Sequence, residues 1–248
     1  MFQKCALKYI SIQMSPVYVI GDLFDEVDTF LAKIQEMNLR DCSIFFVGNM
    51  NFVDDELSHN NFSYLDDELY QRNIFSYVIR GNLDNPHLWN ESDFWKGFRS
   101  LRPVDSSTRL NINGNIGIVI AGSSTLIRDE NMQIWPEYDK PCFPPDFEDF
   151  GESLKNVDFV IGHGGPILSD FFKNQKGYEV YLKDGFLNPI LNAEQKIYRQ
   201  ILRRYRPKRW YCGHYCMSNH TKFVWDNWSD DGTIDLKIIN KSEILRIA

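Results

Sequence analysis

The chain has 248 residues, of which 43% are hydrophobic, 15% aromatic and 25% charged, with a formal net charge of −7. That length and composition fit one large α/β domain with a sizeable core and exclude a disordered chain. The negative balance, densest over residues 54–68, excludes a broad phosphate-binding face for nucleic acid, and no apolar run approaches the about 20 residues that span a bilayer.

The N-terminal stretch MFQKCALKYISIQMSPVYVIGD has no uninterrupted apolar segment with a small-residue cleavage site, so no signal peptide is expected and a cytoplasmic location is. Five cysteines (Cys5, Cys42, Cys142, Cys212, Cys216) are odd in number and without CxxC spacing, which reads as reduced thiols. The basic cluster from Arg199 to Arg209 reads as a solvated helix C-terminus balancing its own dipole.

One unit recurs six times along the chain: a short β-branched or aromatic run, then glycine, then a polar residue. PVYVIGD ends at Asp22, SIFFVGN at Asn49, FSYVIRGN at Asn82, GIVIAGSS at Ser124, DFVIGHGG carries His163, and RWYCGHYC carries His214 and Cys216. Such runs predict buried strands. Asp25 to Met37 predicts a helix with Val27, Phe30, Leu31, Ile34 and Met37 on one face, which completes a βαβ unit.

Asp54 to Arg72 predicts an acidic loop followed by a helix, and Asp93 to Arg102 an aromatic-rich helix or turn in which Phe94, Trp95 and Phe98, with Trp89, belong to the core. LNINGNIGIVIAG predicts a hairpin turning at Asn113-Gly114. Met132 to Phe150, with four prolines, predicts a loop at the rim of the site. Asn192 to Tyr205 predicts an amphipathic helix, and KFVWDNW and TIDLKIIN two antiparallel strands. The expected architecture is one α/β domain over 1–248, two sheets packed face to face in a β-sandwich with helices outside.

Parallel strands separated by helices deliver their carboxyl ends to one edge, so the polar residues of the six units converge there. Singly, each has a structural reading. Asp22 could cap the following helix, Asn49 and Asn82 could be left-handed turn residues, His163 and His214 hydrogen-bonded core histidines, and Cys216 a buried thiol. Six strand ends with such residues in order favour a shared site.

In that order GD, GN, GN-x-D-N-P, GHGGP and GHYC resemble the blocks of the calcineurin-like metallophosphoesterases, which run GD-x-H, GD, GN-H-(D/E), a late histidine and GH-x-H. The resemblance covers roughly residues 16–225, and AGSSTLIRDENMQIWPEYDKP, with GNMN as the second block, resembles a bacterial branch of the family. It implies a four-layer αββα fold and a site of two metal ions that activate a hydroxide for attack on phosphorus. Asp22 keeps the first block's aspartate, whereas Phe24 replaces its histidine and Asn49 stands at the bridging aspartate. Asn82 is kept, Leu83 replaces the assisting histidine, His163 and His214 are kept, and Cys216 stands for the last histidine.

The metal positions are therefore Asp22, Asn49, Asn82, His163, His214 and Cys216, with Asn49, Asn82, His163 and His214 the set best retained. No catalytic residue is intact, and His87 is the nearest substitute for the lost proton donor. The expectation is one divalent ion, zinc or manganese, or none. The partner expected is a protein or a phosphorylated small ligand, with neither membrane nor nucleic acid. The competing expectation is a phosphoesterase that works with a single ion.

Overall fold

A computed structural model describes residues 7–24, 26–51, 56–90, 92–123, 157–166, 182–183, 186–215, 219–224 and 233–248. Its strands are β1 (Leu7–Ile12), β2 (Val17–Ile20), β3 (Cys42–Val47), β4 (Ile74–Ile79), β5 (Leu101–Ile112), β6 (Asn115–Ile120), β7 (Phe159–Gly162), β8 (Leu182–Lys183), β9 (Phe186–Leu187), β10 (Arg209–Cys212), β11 (Asn219–Val224), β12 (Thr233–Ile238) and β13 (Ile244–Arg246). Its helices are α1 (Val27–Glu36), α2 (Glu56–Gln71), α3 (Pro86–Asn90), α4 (Ser92–Lys96) and α5 (Pro189–Tyr205).

All six units of the sequence are strands: β2, β3, β4, β6, β7 and β10. Strands β2, β3 and β4 pair in parallel, and so do β6, β7 and β10. One strand joins the two groups. The first part of β5 pairs with β4 over Leu101–Val104, and its last part pairs antiparallel with β6 over Arg109–Ile112. Beside it, the partner of β1 jumps from Val104 to Arg109, so the ladder breaks where the chain passes from one sheet to the other.

The alternation of side chains along each strand then makes three cores. Val17, Val19, Phe45, Val47, Ile79, Val119, Phe159, Ile161 and Tyr211 face inward between the sheets. Ile20, Ile44, Phe46 and Val78 face α1 to α4, meeting Phe30, Ile34, Leu65, Trp89 and Trp95. Ile118, Ile120, Val160 and Trp210 face α5 through Tyr198, Ile201, Leu202 and Tyr205. Fully burying one such side chain contributes about 1.5–3 kcal/mol, so each layer is held by many contributions of that size. This is the expected αββα sandwich.

The elements differ in detail from the sequence reading. Met37 is 47% exposed and lies at the C-cap of α1, so the buried face of that helix is Val27, Phe30, Leu31 and Ile34. Helix α2 begins at Glu56, earlier than a loop-then-helix reading gives, and residues 52–55 lie outside the described residues. α5 also starts earlier, at Pro189, because Asn188 Oδ1 accepts from Ile190 N–H (3.0 Å) and the proline supplies a helical φ at no hydrogen-bond cost. The hairpin turns at Asn113 (φ 50) and Gly114 (φ 85) as expected, but its first strand is 12 residues long and takes in Leu101 and Arg102. Strands β1 and β13 were not foreseen. The expected rim loop Met132 to Phe150, Ser124, Cys216 and residues 225–232 lie outside the described residues.

Among the described residues, no helix is long and apolar enough to cross a membrane.

Candidate metal centre

The loops that follow β2, β3, β4, β7 and β10 meet at one edge. Asp22, fully buried, organises the first three-way contact: its Oδ1 accepts from Asn49 N–H (2.9 Å) and its Oδ2 from His214 N–H (2.7 Å). Charge-assisted bonds of this type are stronger than neutral ones, so one carboxylate fastens three loops. Burial raises the Asp22 carboxyl above its ordinary range, while His214 and the main-chain N–H bonds pull the other way. It does not cap a helix: α1 begins beyond Glu26, with no side-chain cap bond there.

Asn49 closes the next contact. Its Oδ1 accepts from Leu83 N–H (2.9 Å), and its main-chain oxygen accepts from Leu23 N–H (3.0 Å) and Phe24 N–H (2.9 Å). A Cβ on Gly48, just before it, would stand 2.5 Å from Asp22 Oδ1 and 2.6 Å from His163 Nδ1, so only glycine lets this loop reach the site. Neither Asn49 nor Asn82 is left-handed. The left-handed residues here are Phe24 (φ 48), Asn51 (φ 64) and His214 (φ 68). Positive φ in a non-glycine residue is sparsely populated, and its presence at His214 marks a backbone held by its surroundings.

His163 is the centre of the cluster. Its Nε2 lies 2.7 Å from Asn82 Oδ1 and 3.1 Å from His214 Nδ1, and its Nδ1 lies 3.1 Å from the Val47 carbonyl oxygen and 3.8 Å from Asp22 Oδ1. The two imidazoles meet edge to face, with ring centres 4.7 Å apart. Burial pushes His163 down to about 3, the hydrogen bond to the Val47 carbonyl opposing and Arg80 reinforcing the shift, so the ring is neutral at ordinary pH. A neutral imidazole has one N–H. It therefore donates to only one of Val47 O and Asn82 Oδ1.

With Nδ1–H donated to Val47, the Nε2 lone pair faces Asn82 Oδ1 at 2.7 Å and His214 Nδ1 at 3.1 Å, and a ligating histidine that donates its other N–H to a carbonyl is the usual arrangement. Tetrahedral zinc at about 2.0–2.1 Å from its ligands places them about 3.3 Å apart, near the 3.1 Å between His163 Nε2 and His214 Nδ1 and longer than the 2.7 Å between Nε2 and Asn82 Oδ1. Three neutral ligands suit zinc better than harder ions. Asn82, His163 and His214 are thus the residues that would hold a divalent ion, while among the described residues no group of three or more histidine, cysteine, aspartate and glutamate side chains could hold one, and of the described expected positions only Asp22 supplies charge.

The other expected positions serve differently. Phe24 brings no ligand: Lys241 Nζ lies 5.0 Å above its ring and pairs with Glu26 at 2.9 Å. Leu83 is half-buried and presents its N–H to Asn49. His87 is exposed on α3. Cys212, fully buried before Gly213, is driven strongly upward by burial, with Asp22 and Glu194 adding to the shift, so it is held as a thiol. Sequence reasoning missed the structural part played by Asp84, fully buried, whose Oδ1 accepts from Met50 N–H (3.0 Å) and Oδ2 from Gly81 N–H (2.8 Å). The signal was present in GNLDNP, where an aspartate two residues after a ligand position can bridge loops as well as bind ions.

A four-layer αββα sandwich with histidines and amides gathered at its carboxyl edge is the frame of a metallophosphoesterase. The chain belongs to the calcineurin-like phosphoesterase family, whose model matches residues 15–217. A solved crystal structure is similar over 94% of this chain and 95% of its own, with TM-score 0.53 at 14% identity. A protein serine/threonine phosphatase from Saccharomyces cerevisiae, with similarity to human phosphatase PP5, is similar over 94% and 70% at TM-score 0.38 and 14% identity. At such identity the likeness to the first of these is one of fold. No curated protein matches the chain.

Proposed function

We propose that this chain has given up two-ion phosphoester hydrolysis and acts by binding a phosphorylated small ligand or a protein, with one divalent ion held by Asn82, His163 and His214. The observation that supports this reading is the meeting of His163 Nε2 with Asn82 Oδ1 at 2.7 Å and with His214 Nδ1 at 3.1 Å, three atoms of metal-ligating type at one buried place. One ion there would be held by all three. A second ion has less to hold it: Phe24 is apolar, Asn49 is neutral with its amide oxygen on Leu83 N–H, and Asp22 already fastens two main-chain N–H groups.

The ion, when bound, supplies Lewis-acid attraction for a phosphoryl oxygen. The chain's own residues supply position and little proton transfer. Leu83 has no proton to give a leaving group, and His163 is buried against three polar partners. Binding without turnover follows, and the cytoplasmic setting expected from the sequence belongs to the same reading.

The test is an assay of the wild-type protein on p-nitrophenyl phosphate and bis-p-nitrophenyl phosphate with zinc, manganese or nickel. The expected result is no turnover above the protein-free rate, with saturable binding of inorganic phosphate to the zinc-loaded protein that His214→Ala weakens at least tenfold. Metal-dependent turnover abolished by His214→Ala would instead establish the competing single-ion phosphoesterase.

A further inference from the structure

Glu194 is a helix residue whose carboxyl end is buried, 2% exposed, on α5. Its Oε1 accepts two hydroxyls, Ser123 Oγ–H at 2.6 Å and Tyr198 O–H at 2.8 Å. None of these three residues is a metal position, and a buried carboxylate is costly enough that its placement calls for a reason.

The reason lies in what the three groups touch. A Cβ on Gly164 would stand 2.8 Å from Ser123 Oγ and 3.0 Å from Glu194 Oε1, and would also strike the Tyr198 hydroxyl, so the network is packed directly on the residue after His163. The next peptide groups are fixed too. Trp210 Nε1–H donates to Gly164 O (3.1 Å), and Gln195 Nε2–H (2.9 Å) and Tyr215 O–H (3.1 Å) both donate to Gly165 O. Tyr215 follows His214, and its ring lies 4.9 Å from the His214 ring, edge to face. Ser123 belongs to the loop after β6, where Gly122 N–H donates to Arg80 O (2.8 Å), two residues before Asn82. The loops carrying Asn82, His163 and His214 therefore all lead back to the α5 network.

We propose that Glu194 is a positioning residue that, through Ser123, Tyr198 and the Gly164-Gly165 turn, sets the distance and angle between the His163 and His214 rings and Asn82. The proposal rests on the single-ion reading for its consequence in metal binding, but its geometric content stands without an ion.

The test uses the full chain with 15N-labelled histidine. In metal-free protein, Glu194→Ala is expected to move the ring signals of His163 and His214 and to leave that of His59 in place. Zinc affinity, measured by titration calorimetry, is expected to fall at least tenfold, the usual loss when a partner behind a ligand is removed. Glu194→Gln keeps the acceptor oxygen and is expected to restore both ring signals and an affinity within about threefold of wild type, a rescue that general loss of packing would not give. Both ring signals unmoved in a cooperatively melting Glu194→Ala would overturn the proposal. If that variant does not fold, Ser123→Ala and Tyr198→Phe, each removing one donor to Oε1, carry the same readout, and unmoved signals in both overturn it equally. A wild-type protein that takes up no zinc would end the single-ion reading, while the ring signals would still decide the role of Glu194.

Discussion

Replacing Asp84 by alanine is expected to lower the free energy of unfolding by about 3–5 kcal/mol, measured by urea denaturation. The carboxylate, fully buried, joins the loop after β3 to the loop after β4 by accepting from Met50 N–H at 3.0 Å and Gly81 N–H at 2.8 Å. Removing it leaves two buried main-chain donors without that partner, at about 1–3 kcal/mol each, and opens a small cavity beneath Asn49 and Asn82. Native stability is only about 5–15 kcal/mol, so the loss is a large part of the whole. Asp84→Asn keeps one acceptor oxygen but turns an amide N–H toward a donor, and about half of the loss is expected. A decrease below 1 kcal/mol in Asp84→Ala would contradict this account of how the two asparagine loops are held.

The second large effect is a gain. The combined variant Phe24→His, Asn49→Asp, Leu83→His and Cys216→His is expected to bind two divalent ions per chain and to hydrolyse a simple phosphodiester. Phe24 already adopts φ 48, a region that histidine enters more readily than phenylalanine, and its N–H is anchored on Asn49 O at 2.9 Å. The backbone is thus set for the exchange. Asn49→Asp places a second carboxylate beside Asp22, where two like charges repel unless cations lie between them. The variant is therefore expected to be less stable than wild type in chelator and to recover in manganese or zinc, by about 2.7 kcal/mol for each bound ion at 100 times its Kd. Melting with and without chelator checks this, and a variant indifferent to metal would show that the loops are not placed as described.

The sandwich was legible because six apolar runs end in glycine and a polar residue, and alternation along each run assigns one face to the middle core and the other to a helix layer. Val119 faces the other sheet while Ile118 and Ile120 face α5, as period-two reading requires. The first half of β5 was not legible. Its sequence LRPVDSST carries a proline, an aspartate and two serines, poor signals of a strand, and it is extended because β4 pairs with it across Ser76–Ile79 and β1 lies beside it. Tertiary pairing outweighed local preference there.

The site divided in the same way. Strand-end position in the sequence picked out Asp22, Asn49, Asn82, His163 and His214, and the structure brings all five together. What sequence could not give is which atoms meet which. That Asn49 Oδ1 holds Leu83 N–H, that Val47 O faces His163 Nδ1, and that Glu194 meets Ser123 across 71 residues are consequences of loop geometry. Glu194 and Gln195 fall inside the helix expected over Asn192 to Tyr205 and were not singled out, yet both are buried.

On the proposed reading the wild-type chain holds one ion, on His163, and not two. Metal-free protein dialysed against zinc and, separately, manganese, then analysed for bound metal per chain by mass spectrometry, tests it directly. One zinc ion per wild-type chain, lost in His163→Ala, is the predicted result. Two ions per chain, none, or one ion retained undiminished in His163→Ala would contradict it.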